Sequence, residues 1–190
     1  MTEAELKRQL KEELKPVYVF YGEERYLSGV YAAKVAEKAV GGDDLAAFNL
    51  HKFDGQDAAW NAIEEAAEAL PLMAERSCVL VRDFDVAKSP DYDRVLAWVQ
   101  QPSPTCVLIF YMDTVAVDTK KTAKWKNFLA AVQKTGCAVE FPRKSPADIA
   151  KLLCSGASRR GCTLQTAVAR GWVEQCGSDL TLLLNELDKL

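Results

Sequence analysis

Five short apolar segments, separated by longer stretches with helical spacing, are the main feature of the chain's hydrophobic pattern. Residues 17–21 are β-branched or aromatic without a polar interruption, and Gly22 follows them. A run of this kind is typical of a strand buried on both faces of a parallel sheet. Four more strands are predicted, at residues 48–53, 78–83, 106–112 and 137–141. Strands that alternate with helices predict an α/β fold, in which helices flank a five-stranded parallel sheet.

The helix predicted between the second and third strands covers residues 56–70. Pro71 is predicted to end it, because proline cannot continue a helix. The side chains expected to face the sheet recur at the spacing of an amphipathic helix. They are Ala59, Ile63, Ala66 and Leu70.

Other local signals predict where elements begin and end. Ser89 and Pro90 have the residue types of an N-cap and first-turn pair for the helix after the third strand. Residues 41–44 are predicted to form a turn, and Gly136 to end the helix before the fifth strand. These signals set the lengths of the predicted helices.

The last quarter of the chain has no strand pattern. Ser145 is predicted to cap a first helix, and Gly161 and Gly177 to separate it from two more. We therefore predict two domains, an α/β core at residues 1–143 and a three-helix lid at residues 144–190.

Composition excludes several classes of function. The net charge of the 190 residues is -3, so no overall field attracts the chain to nucleic acid or anionic lipid. No apolar run approaches the ~18 residues of a membrane span, and we expect a cytoplasmic protein without membrane contact. With one histidine and six cysteines, none in a C-x-x-C motif, no metal site is expected. Cys78, Cys106 and Cys137 adjoin apolar runs and are expected to be buried free thiols.

The turn after the first strand has the layout of a phosphate-binding loop, which is a strand, a glycine turn and a helix. Compared with G-x-x-x-x-G-K-[ST], Gly22 matches the first glycine. Leu27, however, replaces the second glycine, Ser28 the lysine and Gly29 the Ser/Thr. These positions are therefore not expected to bind phosphate, and no nucleotide cofactor is expected.

Glu23 and Glu24 in the same turn strengthen that expectation, because two carboxylates beside a phosphate position would repel a nucleotide. The segment is interpreted as the scaffold of a nucleotide-binding fold without the nucleotide. An ordinary strand-to-helix turn of any α/β protein is the alternative.

Four motifs in register across the chain resemble those of a known family. They are residues 17–27, residues 53–55, residues 70–76 directly before residues 79–83, and residues 185–190. Together they are similar to the delta subunit family of the bacterial DNA polymerase III clamp loader. The resemblance implies a RecA-like AAA+ core followed by a small helical lid.

The resemblance also implies a non-catalytic subunit of a DNA-directed DNA polymerase holoenzyme, with no catalytic residues of its own. Asp83 stands where an ATPase strand ends in an acidic pair, but Phe84 follows it. Thr181 replaces the lid arginine, and no arginine finger precedes the fifth strand. Phosphoryl transfer relies on a lysine, a metal-bound acid and an arginine, and this chain lacks that set.

A mechanical role is what the family resemblance implies: binding the sliding clamp (beta subunit) and holding it open for loading onto primed DNA. In the family an apolar pair inserts into a pocket of the clamp, and here the pair is Leu72 and Met73. Methionine departs from the common Leu-Phe pair and adds flexibility. The alternative is that both are core residues at a helix start.

Partners beyond the clamp are also implied. Relatives continue into a helical collar that joins them to other clamp-loader subunits, whereas this sequence stops at Leu190, so we expect a truncated or incomplete chain. DNA contact is expected to be indirect or weak, with Lys120, Lys121 and Lys124 as candidates, or else as part of a solvated helix. A divergent nucleotide-binding ATPase or kinase, and a nucleic-acid binding module that uses residues 120–126, remain alternative functions.

Overall fold

A five-stranded parallel sheet forms the centre of the first part of the chain, as the apolar pattern predicts. The computed structural model describes residues 1–41 and 46–189. Its strands are β1 (Val17–Gly22), β2 (Leu50–Asp54), β3 (Ser77–Arg82), β4 (Cys106–Tyr111) and β5 (Cys137–Phe141). Their order across the sheet is β2-β3-β4-β1-β5, so the first strand lies between two later ones.

Helices connect these strands and cover the sheet. They are α1 (Glu3–Gln9), α2 (Arg25–Val40), α3 (Trp60–Glu68), α4 (Tyr92–Gln100) and α5 (Ala123–Thr135). Within β1, Val17, Tyr18, Val19 and Phe20 are fully buried, which confirms burial on both faces. The helix α5 ends at Thr135 and Gly136 follows as its C-cap, which is the predicted role of that glycine.

The second strand begins later than predicted. A 3₁₀ turn, Ala46–Asn49, precedes it, and Phe48 lies in this turn with 64% of its surface exposed. Pairing of β2 with β3 starts where Leu50 lies opposite Cys78, and the residues directly before Leu50 form the 3₁₀ turn. Of the turn predicted at residues 41–44, residues 42–44 lie outside the described part of the chain.

The inner face of α3 differs from the predicted one. Trp60, Ile63 and Ala67 are buried, whereas Leu70 lies beyond the helix and is 85% exposed. The helix starts late because the amides of residues 56–58 bond to Asp54 in a turn. It stops at Glu68, two residues before the one that Pro71 disfavours in a helix.

The predicted start of α4 is wrong by two residues. Asp91, and not Ser89, is the residue before the helix, and the Ser89 hydroxyl accepts a hydrogen bond from the Asp91 amide at 3.1 Å. Ser89 therefore shapes the turn that leads into the helix. Tyr92 and Val95 are buried, as the helical spacing predicts.

The chain divides into two compact units. The first is Met1–Phe141, and the second begins at Pro142. The second contains the predicted three helices, α6 (Pro146–Arg159), α7 (Thr166–Cys176) and α8 (Leu180–Leu187). Gly161 and Gly177 separate these helices with φ angles of +78° and +85°, which glycine adopts without strain. Ser145 caps α6 by accepting from the Asp148 amide.

Candidate functional site

The glycine turn after β1 is packed against the end of β5. Gly22 has a φ of +122°, and a Cβ there would lie 2.3 Å from the Phe141 carbonyl oxygen. The Glu24 amide donates a hydrogen bond to that same oxygen at 3.0 Å. A phosphate-binding loop presents such amides to its ligand. Here the neighbouring strand takes one of them.

The positions that would hold phosphate have other environments. Leu27 and Ser28 are buried, and Gly29 is partly exposed with open space where a side chain would be. Of the two glutamates expected to face a phosphate, Glu23 is exposed, whereas Glu24 is buried. A leucine and a serine inside the protein offer none of the charge that a phosphate site needs.

Asp83, compared above with the acidic pair at the end of an ATPase strand, accepts hydrogen bonds from the loop after β4. It follows β3 with a φ of +54° and is 2% exposed. Its Oδ1 accepts from the amides of Asp113 and Thr114 at 2.7 Å each and of Val115 at 3.1 Å. Its Oδ2 accepts from the Thr114 hydroxyl at 2.9 Å. The carboxylate therefore holds the loop after β4, a role that the sequence did not indicate.

The pKa of Asp83 reflects this environment. Burial raises the pKa of the carboxyl. The hydrogen bonds from the amides of Thr114, Val115 and Asp113 and from the Thr114 hydroxyl lower this pKa by more than burial raises it. The net result is a pKa below the usual 3.8, so the group is charged at neutral pH.

Within residues 1–41 and 46–189, no three His, Cys, Asp or Glu side chains are grouped so that they could hold a metal ion.

Thermal unfolding with Mg-ATP tests the glycine turn. A ligand at a hundredfold excess over its Kd stabilises the native state by about 2.7 kcal/mol. For a chain of this size that is roughly 5 to 10 °C in Tm. We expect a shift below about 1 °C with millimolar Mg-ATP or Mg-GTP. Ser28 replaces the lysine that would hold phosphate, and the carboxylate of Asp83 is already hydrogen-bonded to the loop after β4. Magnesium alone is the control, and a shift of several degrees that needs the nucleotide would contradict this expectation.

The loop between α3 and β3 carries an exposed apolar surface. We call residues 69–76 the tip loop. Leu70 and Met73 are each 85% exposed, and Leu72 is 51% exposed. Isolated apolar side chains on a surface need no explanation, but three exposed ones within four positions of one loop make this loop a candidate contact surface. The alternative that Leu72 and Met73 are core residues is wrong.

Two polar side chains hold the backbone of the tip loop. The Leu72 amide donates to Asn49 Oδ1 at 2.7 Å, and Asn49 Nδ2 donates to the Leu72 carbonyl at 3.0 Å. Further along, Arg76 donates to the Leu14 carbonyl at 3.0 Å and pairs with Glu13. Asn49 is not among the residues predicted from the sequence, because its only local signal is a polar side chain in a predicted strand.

The candidate DNA-contacting lysines do not form one helical face. Lys120 and Lys121 lie in the turn before α5, where their amides donate to Asp118 Oδ1 at 2.9 and 3.0 Å. Lys124 lies in α5, with its ammonium 4.9 Å from the centre of the Tyr92 ring. Trp125 is buried, as its helical spacing predicts. A phosphate contact by these lysines stays a prediction.

The six cysteines are unpaired. Cys78, Cys106 and Cys137 are buried as predicted, and burial raises the pKa of Cys106 to about 11. Cys162 and Cys176 are exposed. A thiol with a raised pKa is a poor nucleophile at neutral pH, so the buried cysteines act as small apolar residues.

No helix in the described residues has both the length and the apolar character that crossing a membrane requires.

Comparisons with known proteins give a consistent result. The family described as "DNA polymerase III, delta subunit" matches residues 18–141. DNA polymerase III subunit delta of Bacillus subtilis is 24% identical over an alignment of 188 residues that covers 95% of this chain and 52% of that protein. The chain thus spans about half the length of the relative it matches.

Solved structures show the same fold. The DNA clamp loader delta protein of Bacillus subtilis superposes with a TM-score of 0.72 at 21% identity, covering 98% of this chain and 56% of that one. A DNA polymerase III gamma subunit-related protein of Thermotoga maritima superposes with a TM-score of 0.58 at 13% identity, covering 97% and 57%. These likenesses confirm the predicted RecA-like AAA+ fold class.

Proposed function

This chain belongs to the DNA polymerase III delta subunit family, and from that membership we propose that it binds the sliding clamp and stabilises the ring in an open form. The open ring would then be placed on primed DNA during chromosomal replication in the cytoplasm. The partners proposed for the full-length protein are the clamp (beta subunit) and other clamp-loader subunits. DNA is contacted indirectly or weakly.

The observation that carries this proposal is the exposure of Leu72 and Met73 on a loop whose backbone is held. Apolar side chains that protrude from a fixed loop can enter a partner's pocket at little entropic cost, because their backbone is already ordered. Anchors of this kind dominate the energy of an interface. In this proposal, Leu72 and Met73 contact the clamp directly.

Opening the ring needs binding energy and no catalysis by this subunit. A protein can shift an equilibrium between closed and open rings only by the difference in its affinity for the two forms. An apolar contact beside one protomer interface favours the open ring if Leu72 and Met73 enter the clamp pocket more fully in the open ring than in the closed one. The absence of the phosphoryl-transfer residues from the sequence is compatible with this role, because ATP hydrolysis would belong to other subunits.

A ring-opening assay tests the proposed function. The clamp carries a donor and an acceptor fluorophore on the two sides of one protomer interface, and the purified chain is titrated into it. We expect saturable binding and a loss of energy transfer as the interface separates. Absence of binding would overturn the proposal as a whole, and binding without a change in energy transfer would overturn the opening step.

A further inference from the structure

We propose that Asn49 is a positioning residue for clamp binding: its side chain holds the tip loop in the conformation that presents Leu72 and Met73. The inference rests on the proposed function, and it adds a residue that does not itself touch the clamp. Asn49 is 2% exposed and reaches the Leu72 backbone from a position 23 residues earlier in the chain.

The two hydrogen bonds fix both backbone polar groups of Leu72, its N–H and its C=O. Asn49 Oδ1 accepts from the Leu72 amide at 2.7 Å, while Asn49 Nδ2 donates to the Leu72 carbonyl at 3.0 Å. The arrangement resembles the exchange of bonds between paired strands. The Asn49 side chain is 2% exposed, so the surrounding protein fixes its own position and, through the two bonds, that of the Leu72 backbone. The backbone of Leu72 is therefore constrained in both position and orientation.

Asn49 is well placed to act as an anchor. It is the last residue of the 3₁₀ turn and is followed directly by β2, which pairs along its whole length with β3. The sheet thus supports the amide from the residue that follows it. Arg76 anchors the other end of the loop through the Leu14 carbonyl. Between the anchors, Met73 takes a φ of +51°, which a non-glycine residue adopts only when its surroundings impose it.

Apolar packing of the tip loop's own side chains does not hold it in this conformation. Leu72 is half exposed and Met73 is almost fully exposed, so their side chains contribute little to holding the loop. Without Asn49 the loop would sample other conformations, including ones with an ordinary φ at Met73. The clamp would then bind only the fraction with the correct shape, which lowers the apparent affinity by that fraction.

The first test uses the protein alone. Amide hydrogen exchange at Leu72 is compared in the native chain, Asn49→Ala and Asn49→Asp. The aspartate keeps the volume and the acceptor but replaces the donor. We expect exchange at Leu72 to be about tenfold faster in Asn49→Ala, because its amide loses the hydrogen bond to Asn49 Oδ1. Exchange at Val81 in β3 should be unchanged. Asn127→Ala, at an exposed position of α5, is the matched control.

The second test measures clamp affinity in a double-mutant cycle of Asn49→Ala and Leu72→Ala. Each is expected to weaken binding about tenfold, and the two together by clearly less than the product, because Asn49 acts through Leu72. Asn49→Asp should retain part of the affinity. Equal clamp affinity with faster exchange, unchanged exchange at Leu72, or strictly multiplicative effects would each overturn the inference.

The two proposals fail in different ways. If the native chain does not bind the clamp, the proposed function is wrong, while the exchange experiment still decides whether Asn49 orders the loop. If both Asn49 variants lose the folded state, the residue serves the fold as a whole and the positioning role is wrong.

Discussion

Replacing Leu72 and Met73 together by alanine is expected to weaken clamp binding by about 2 to 4 kcal/mol, or roughly 30-fold to a thousandfold. Full burial of a side chain of this size contributes about 1.5 to 3 kcal/mol. Leu72 is already half covered in the free protein, so its share is smaller than that of Met73, which is 85% exposed. Equilibrium titration of labelled clamp with each variant measures the change.

The same double variant should keep its melting temperature within about 1 °C of the native chain, because both side chains are exposed and the bonds to Asn49 use the Leu72 backbone, which alanine keeps. Val168→Ala with Leu182→Ala is a matched control, since both residues are exposed and apolar and lie in the second unit. This control should bind the clamp normally. Normal clamp affinity of the Leu72 and Met73 variant would refute the proposed contact.

Asp83→Ala is expected to lower the free energy of unfolding by about 3 to 5 kcal/mol. The carboxylate accepts three amide hydrogen bonds and one hydroxyl bond from residues 113–115. Its removal leaves several of these donors without a partner inside the protein, which costs more than the bonds themselves contribute. Chemical denaturation at pH 7 measures the loss, and Asp57→Ala, at an exposed position, is the control.

The contribution of Asp83 should depend on pH in a defined direction. Its pKa in the folded state lies below the usual 3.8. Its stabilising effect is therefore fully present above the unfolded pKa and is lost as the pH falls through the folded one. The difference in unfolding free energy between the native chain and Asp83→Asn should be constant from about pH 5 to 8 and shrink at lower pH. A difference that grows in acid would contradict this assignment.

The sequence motifs of the family have physical explanations in the structure. In the motif at residues 53–55, a Cβ on Gly55 would lie 2.4 Å from the Phe84 Cα, so the β2 end and the residue after Asp83 can approach only if that position is glycine. Gly22 meets the same requirement against Phe141. These glycines are needed for contact between neighbouring strand ends, and a nucleotide is not needed to explain them.

The buried face of a helix and the long-range polar contacts were the features least predictable from the sequence. The inner face of α3 is predicted to hold Ala59, Ile63, Ala66 and Leu70. The structure buries Ile63 as predicted, together with Trp60 and Ala67. In an alanine-rich segment several stripes have similar hydrophobicity, so periodicity alone does not choose between them. Which face is buried depends on the residue at which the helix begins after the preceding turn, and on which side chains fill the space above β3 and β4.

The sequence by itself determined that this chain forms a parallel α/β sheet, because uninterrupted apolar runs such as residues 17–21 and 106–110 can only be satisfied inside. It also placed Leu72 and Met73 outside the helix, since Pro71 prevents continuation. The tertiary structure alone decided the tasks of Asn49 and Asp83. Their partners lie 23 and at least 30 residues away. A short polar side chain carries no local sign of such a partner, because its bonds exist only once the sheet brings distant loops together.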